Sequence, residues 1–143
     1  MAVQIIQSPS VKEIKYRSIF LAGGIQDCPD WRSDAIKLIK KVCRQEKSDV
    51  TIINPLRESF TPDLHKAQVQ WETAYLEVAD LVLFWFPKET LCPMTLYEFG
   101  WMLNSGRNMI IGAHPEYARF NDLRFRLEAH HGILSTSLEE MMG

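Results

Sequence analysis

Two hydrophobic rhythms alternate along this chain. Short, dense apolar runs are separated by longer stretches whose apolar residues recur three, four and seven positions apart. The dense runs read as buried strands: Val3–Gln7, Arg17–Ala22 ending at Gly23-Gly24, Val50–Ile53 stopped by Asn54-Pro55, Leu81–Phe86, and Met109–Gly112. The stretches between them read as helices. The first runs from about Asp30, a good N-cap, to Glu46, with Trp31, Ala35, Leu38, Ile39, Val42 and Cys43 on one side. The second places Leu64, Gln68, Trp71, Tyr75 and Val78 on one stripe. The third runs from about Met94 to Ser105, with Leu96, Phe99, Gly100 and Leu103 inward and Gly106 as its terminating glycine. A fourth is expected over Leu123–His130, a last edge strand at Ile133-Leu134 and a terminal turn of helix over Ser137–Met142.

Strands that alternate with helices of ten or more residues predict a mainly parallel sheet covered on both faces. Handed crossovers then give a doubly wound α/β sandwich. Five strands form its sheet, with Ile133-Leu134 as a possible addition at the edge. A length of 143 residues, with no repeat and no linker, fits a single domain spanning 1–143. A net charge of −2 without a Lys/Arg-rich run gives no footing for a nucleic acid polymer or a membrane surface. No apolar stretch approaches a membrane span, and the start of the chain lacks a signal-peptide pattern, so the expected location is the cytoplasm. Cys28, Cys43 and Cys92 are widely spaced and form neither a metal pair nor a disulfide set. The histidines do not cluster, so neither a metal nor a cofactor is expected.

In this topology the strand ends converge on Gly23-Gly24, Asn54–Arg57, the Pro87–Glu98 segment and Gly112–His114. Glu98 stands out. It follows the most apolar strand and is hemmed in by Leu96, Tyr97, Phe99 and Trp101. Read as a residue of the helix's first turn, it is a candidate nucleophile or general acid. Thr95-x-x-Glu98 also fits a capping box, in which Thr95 caps the helix and Glu98 reaches back to it. Glu72, beside Trp71 at the edge of the second helix's stripe, is a second carboxylate pointing either over the sheet or into water. Gly23-Gly24 lets backbone approach a ligand but lacks the third glycine of a dinucleotide fingerprint. Arg57 could clamp a phosphate or stand solvated in its loop. Asp80 reads as a turn or capping residue. Two carboxylates near one strand-end crevice suit glycosyl chemistry, one attacking the anomeric carbon and one protonating the leaving group.

Phe20–Ile25, Asn54–Arg57, Gln70–Glu72, Ala79–Phe86, Cys92–Gly100 and Phe120-Asn121, in this order and spacing, resemble the nucleoside 2-deoxyribosyltransferase-like family. The resemblance implies a flavodoxin-like three-layer sandwich and cleavage of the N-glycosidic bond of a 2′-deoxynucleoside or deoxynucleotide. It makes Glu98 the nucleophile of a double displacement through a glycosyl–enzyme ester. Glu72 then handles the proton of the base. Gly23 and Gly24 match the sugar-side turn, with Trp71 and Thr95 among the substrate-side residues. Asn121 is lent to a neighbouring subunit's sugar site, which implies a homodimer or a larger homo-oligomer. Two positions depart from the pattern: Cys92 stands where a base-contacting Asp is usual, and Phe20 stands for a Tyr. Both weaken the case for efficient base exchange and leave hydrolysis open. Two other functions compete: a nucleoside- or nucleotide-binding module without catalysis, and a glycohydrolase of ribosyl cofactors such as NAD.

Overall fold

The computed structural model describes residues 1–143. Six strands, all parallel, build one sheet in the order β1-β3-β2-β4-β5-β6. They are β1 (Val3–Gln7), β2 (Ser18–Gly23), β3 (Val50–Asn54), β4 (Leu81–Phe86), β5 (Met109–Ala113) and β6 (Leu134–Ser135). The expectation of five strands is corrected to six. The additional strand, β6, is the edge candidate, one residue later than read. Its two residues pair with Ile111 and Gly112, and a pair so short gives almost no hydrophobic rhythm of its own. The helices are α1 (Trp31–Glu46), α2 (His65–Val78), α3 (Pro93–Ser105), α4 (Phe120–Ala129) and α5 (Leu138–Met142).

The period-two alternation of strand side chains sorts the core into two halves. Phe20, Ala22, Val82, Phe84 and Phe86 face one side, where Trp71, Tyr75 and Leu76 of α2, Phe99 and Met102 of α3, and Leu123 and Leu127 of α4 cover them. Leu21, Ile52, Leu83 and Trp85 face the other, under Trp31, Ala35 and Ile39 of α1 and Leu138 and Met141 of α5. The result is the three-layer, doubly wound arrangement of flavodoxin-like folds. With the edge strand β1 set aside, the order is that of the flavodoxin-like sheet. From β2 the chain steps outward to β3, then returns across the sheet to β4 on the other side. The boundary between β2 and β4 is therefore the switch point, where a crevice opens at the carboxyl ends of the strands.

Several helix details differ from the sequence reading. Asp30 caps α1 as expected, its Oδ1 accepting from the Ser33 N–H at 3.3 Å. The α2 stripe turns by part of a helical step. Val78 is exposed, while Leu76, absent from the expected stripe, is buried. Glu72 lies four residues after Gln68 and four before Leu76, so it sits on the buried face rather than at its edge. On α3, Gly100 is exposed and Met102 takes the core position instead. Helix α4 begins at Phe120, three residues earlier than read. Asp80, read as a turn or capping residue, instead bonds across to the start of β2. Its Oδ2 accepts from the Ser18 N–H at 2.8 Å, and its own N–H donates to Ser18 Oγ at 3.0 Å. That exchange ties the starts of the two central strands together.

Phe84 anchors the larger half of the core. It is fully buried, edge-on to Phe99 at 5.9 Å and stacked with Phe86 at 6.5 Å. Phe84→Ala is expected to lower the free energy of unfolding by about 3–5 kcal/mol. Chemical denaturation of the two proteins side by side measures it, and a loss below about 1 kcal/mol would contradict this packing.

Candidate active site

The crevice at the switch point is built from the ends of β2 and β4 and the segments that follow them. After β2 the chain makes the buried Gly23-Gly24 turn. Gly23 has no room for a side chain, and Gly24 has little. A Cβ on Gly23 would lie 2.5 Å from the Trp85 carbonyl oxygen and would run into the Trp31 ring. A Cβ on Gly24 would press on Pro87 at 3.0 Å and on Cys92 Sγ and Thr90 at 3.1 Å. The turn thus lies flush against β4 and against the connection leading to α3.

The group that organises this turn is Arg32, in the first turn of α1. It is the one charged residue among the buried ones, at 3% exposure. Its Nη1 donates to Gly24 O at 2.9 Å, and its Nη2 donates to Leu21 O at 3.0 Å and Gly23 O at 3.2 Å. The Trp31 indole N–H reaches the same Gly24 oxygen at 2.9 Å, and the guanidinium carbon lies 4.4 Å from the Trp31 ring centre. The Arg32 Nε donates to no protein atom. Burial lowers the guanidinium to about 10, while Cys28, Glu72 and Glu98 pull it back up, so it stays charged at neutral pH. Sequence reading missed Arg32. A signal existed, because Arg32 precedes Ala35 by three residues and Ile39 by seven, placing it on the apolar stripe of α1.

The two candidate carboxylates meet in this crevice. Both are half-buried. Glu98 is pushed up to about 8, chiefly by burial and also by the charge of Glu72, with Arg32 opposing the rise. Glu72 is raised as well, chiefly by burial, with Arg32, Gln68 and His65 pulling it down. The capping-box reading of Glu98 is overturned. Helix α3 starts at Pro93, Cys92 occupies the cap position, and no side chain caps the helix. Thr95 is therefore inside the first turn and buried, and Glu98, the sixth residue of α3, lies beyond that turn. Proline sets the earlier start, since it suits the first helical position and needs no partner for a missing N–H.

Cys92 itself is held in the left-handed region, with φ 54° and ψ 58°, a costly conformation for a residue with a Cβ. Burial pushes its thiol up to about 12, Cys28 adding to the rise and Arg32 opposing it, so it stays a neutral thiol at physiological pH. The Tyr117 hydroxyl donates to Leu91 O at 2.6 Å and ties the same connection to the segment between β5 and α4.

The remaining sequence candidates fall elsewhere. Phe20 and Trp71 are core residues, their rings 6.4 Å apart, and the Trp71 indole donates to Ser10 O at 2.8 Å. The solvated-loop reading of Arg57 gives way to a bonded one: its Nε donates to Gln68 Oε1 at 2.9 Å. Arg57 also lines a separate cavity of about 680 Å³ along α2, with Pro9, Lys12, Trp71 and Tyr75. That cavity contains neither Glu98 nor Glu72, so the coupled carboxylates and the buried cation, rather than cavity size, mark the candidate active site. Asn121 is exposed in the first turn of α4 and bonds to none of these groups. No three His, Cys, Asp or Glu side chains group so as to hold a metal ion.

Fold and site together define a doubly wound α/β protein with two half-buried carboxylates and a buried arginine at its switch point. A family model described as nucleoside 2-deoxyribosyltransferase like matches residues 16–117, and the chain belongs to that family. The match includes Gly23, Arg32, Glu72, Cys92 and Glu98 and ends before Asn121. No curated protein matches the chain. No helix is long and apolar enough to cross a membrane.

The raised Glu98 carboxyl makes stability depend on pH in a definite sense. Its folded value of about 8 lies above the ordinary carboxyl value. Protonated Glu98 favours the folded state, so its contribution is fully present below about pH 4.3 and declines as pH rises towards 8. Glu98→Gln removes that decline. The variant's melting temperature is expected to exceed that of the parent by at least roughly 3 °C more at pH 8 than at pH 5. A gap that stays constant across this range in thermal melts would contradict the burial of Glu98.

Proposed function

We propose that this protein cleaves or transfers at the N-glycosidic bond of a 2′-deoxynucleoside or deoxynucleotide, with Glu98 as the nucleophile. The observation that carries this reading is the pair of half-buried carboxylates at the switch point, Glu98 and Glu72, the charge of Glu72 opposing ionisation of Glu98 beside a buried arginine. Two such carboxylates share protons. Over a range of pH the pair holds one proton and one negative charge; the proton rests on Glu98 in the free protein and passes to Glu72 as the substrate binds, which leaves Glu98 as the nucleophile and Glu72 as the acid.

In the first step an ionised Glu98 oxygen attacks C1′ as the bond from C1′ to the base nitrogen breaks. The bonding electron pair leaves with the base, and Glu72 supplies the proton that neutralises it. The sugar is then held on Glu98 as an ester. A second base or a water then attacks C1′ and gives its proton to the Glu72 carboxylate, the ester bond breaks with its electron pair returning to Glu98, and both carboxyl groups are restored. Two inversions give net retention. Gly23-Gly24 lets the sugar lie close to the strand end. Cys92, a neutral thiol where an aspartate is usual in the family, cannot take a charged part in base recognition, which favours hydrolysis over base exchange. The same substitution favours, as a second reading, a binding module that has lost its chemistry.

Chromatography of the protein with deoxynucleosides and their monophosphates, with and without a second free base, tests the reading. Glu98→Ala and Glu98→Gln are expected to lower turnover by at least about 10³-fold, and Glu72→Gln by about 10²-fold or more. Free base alone marks a hydrolase, and a new nucleoside marks a transferase. Normal turnover by Glu98→Gln would refute the nucleophile assignment. Binding without any product would leave the binding module in its place.

We further propose that the protein acts as a homodimer or larger homo-oligomer in which Asn121 serves a neighbouring crevice. Met94, Tyr97 and Trp101, 58%, 71% and 40% exposed, form an apolar row on the helix that carries Glu98. A second copy seated there would cover the row and close the crevice. Light scattering after size exclusion is expected to give a dimer or larger for the parent and a smaller species for Tyr97→Glu/Trp101→Glu. A monomeric parent would end this reading.

A further inference from the structure

We propose that Arg32 is the positioning residue of the crevice: it locks the Gly23-Gly24 turn through three carbonyl oxygens and holds a buried positive charge beside the Glu98 and Glu72 carboxylates. Its catalytic consequence rests on Glu98 being the nucleophile; its electrostatic one does not.

The geometry leaves Arg32 little other role. A buried charge is costly unless hydrogen bonds or an opposite charge compensate it. No carboxylate forms a salt bridge with Arg32, whose bonded partners are the carbonyls of Leu21, Gly23 and Gly24. Leu21 lies just past Phe20, where the ladder to β3 stops, Gly23 is the last residue of the ladder to β4, and Gly24 follows the strand. A planar guanidinium reaches all three from one direction, whereas a lysine ammonium is a single point. Because the partners are neutral, the charge of Arg32 is not cancelled by a direct ion pair and acts across the crevice.

The groups that face this region can be counted from every side. Glu72 and His65 come from α2, Glu98 from α3, Asp27, Cys28 and Asp30 from the connection before α1, and Glu89 and Cys92 from the connection before α3. Arg32 is the only cation among those that act on Glu98. Glu72 and the low local polarity both oppose ionisation of Glu98, so Arg32 alone favours the form that attacks C1′. The same group therefore fixes the wall on which the sugar rests and favours the ionised nucleophile.

The test uses protein labelled with ¹³C at the glutamate carboxyls, with the Glu98 signal assigned by its loss in Glu98→Gln. In Arg32→Gln the Glu98 titration midpoint is expected to rise by roughly one pH unit or more, and in Arg32→Lys to stay nearer that of the parent. The ascending limb of the kcat/KM pH profile is expected to move up by the same interval, about a tenfold loss per unit on the acid side. An unchanged midpoint in folded Arg32→Gln overturns the proposal. So does a uniform fall in kcat/KM with the limb in place, which is what a merely structural arginine would give. If Arg32→Gln does not fold, the Arg32 Nε–H resonance of the parent decides. It is expected to shift with the Glu98 titration and to lose that shift in Glu98→Gln, and a flat profile overturns the proposal. Should Glu98→Gln retain full turnover, the nucleophile reading fails while the carboxyl titrations still judge Arg32.

Discussion

The hydrogen bonds from Arg32 to the carbonyls of Leu21, Gly23 and Gly24 are the constraint on which the crevice depends. A parallel strand that ends inside a protein leaves carbonyl oxygens without ladder partners, and buried carbonyls must be satisfied. Here a single side chain meets that need. It also fixes the register between β2 and the start of α1, since Trp31 donates to the same Gly24 oxygen. The two glycines follow from the same constraint, because a Cβ on either would strike β4, Trp31 or the connection to α3.

The price of this arrangement is a site that resists charge. Arg32, Glu72, Glu98 and Cys92 are all displaced from their ordinary protonation behaviour, and in each case burial is the largest cause. A buried cation and two carboxylates that are hard to ionise temper one another. The neutral Cys92 thiol adds no charge to this balance, though its backbone is held in a strained conformation at the entry to α3. Strain of that kind persists only where the surroundings over-determine it, here the Gly24 contact and the Tyr117 bond to Leu91.

The fold was largely legible in the residues. Leu81–Phe86 read as a buried strand, and Asp30 and Gly106 mark helix ends by local chemistry alone. Glu98 and Glu72 were legible as carboxylates near strand ends. Arg32 was not singled out, because a charged residue among polar neighbours at a helix start reads as solvent-facing unless the stripe is followed through it. The capping box over Thr95–Glu98 failed for the converse reason. Its spacing was right, but Pro93 and the left-handed Cys92 start the helix earlier, beyond what a four-residue pattern can register.

Local rules thus determined the strands, the helices, the parallel sheet and the family, since periodicity, caps and glycine placement act over a few residues. Which charges share an environment was decided only by the tertiary structure. Arg32, Glu72 and Glu98 come from three different helices. Their mutual influence depends on distance and on how much water lies between them, quantities set by the packing of all three layers.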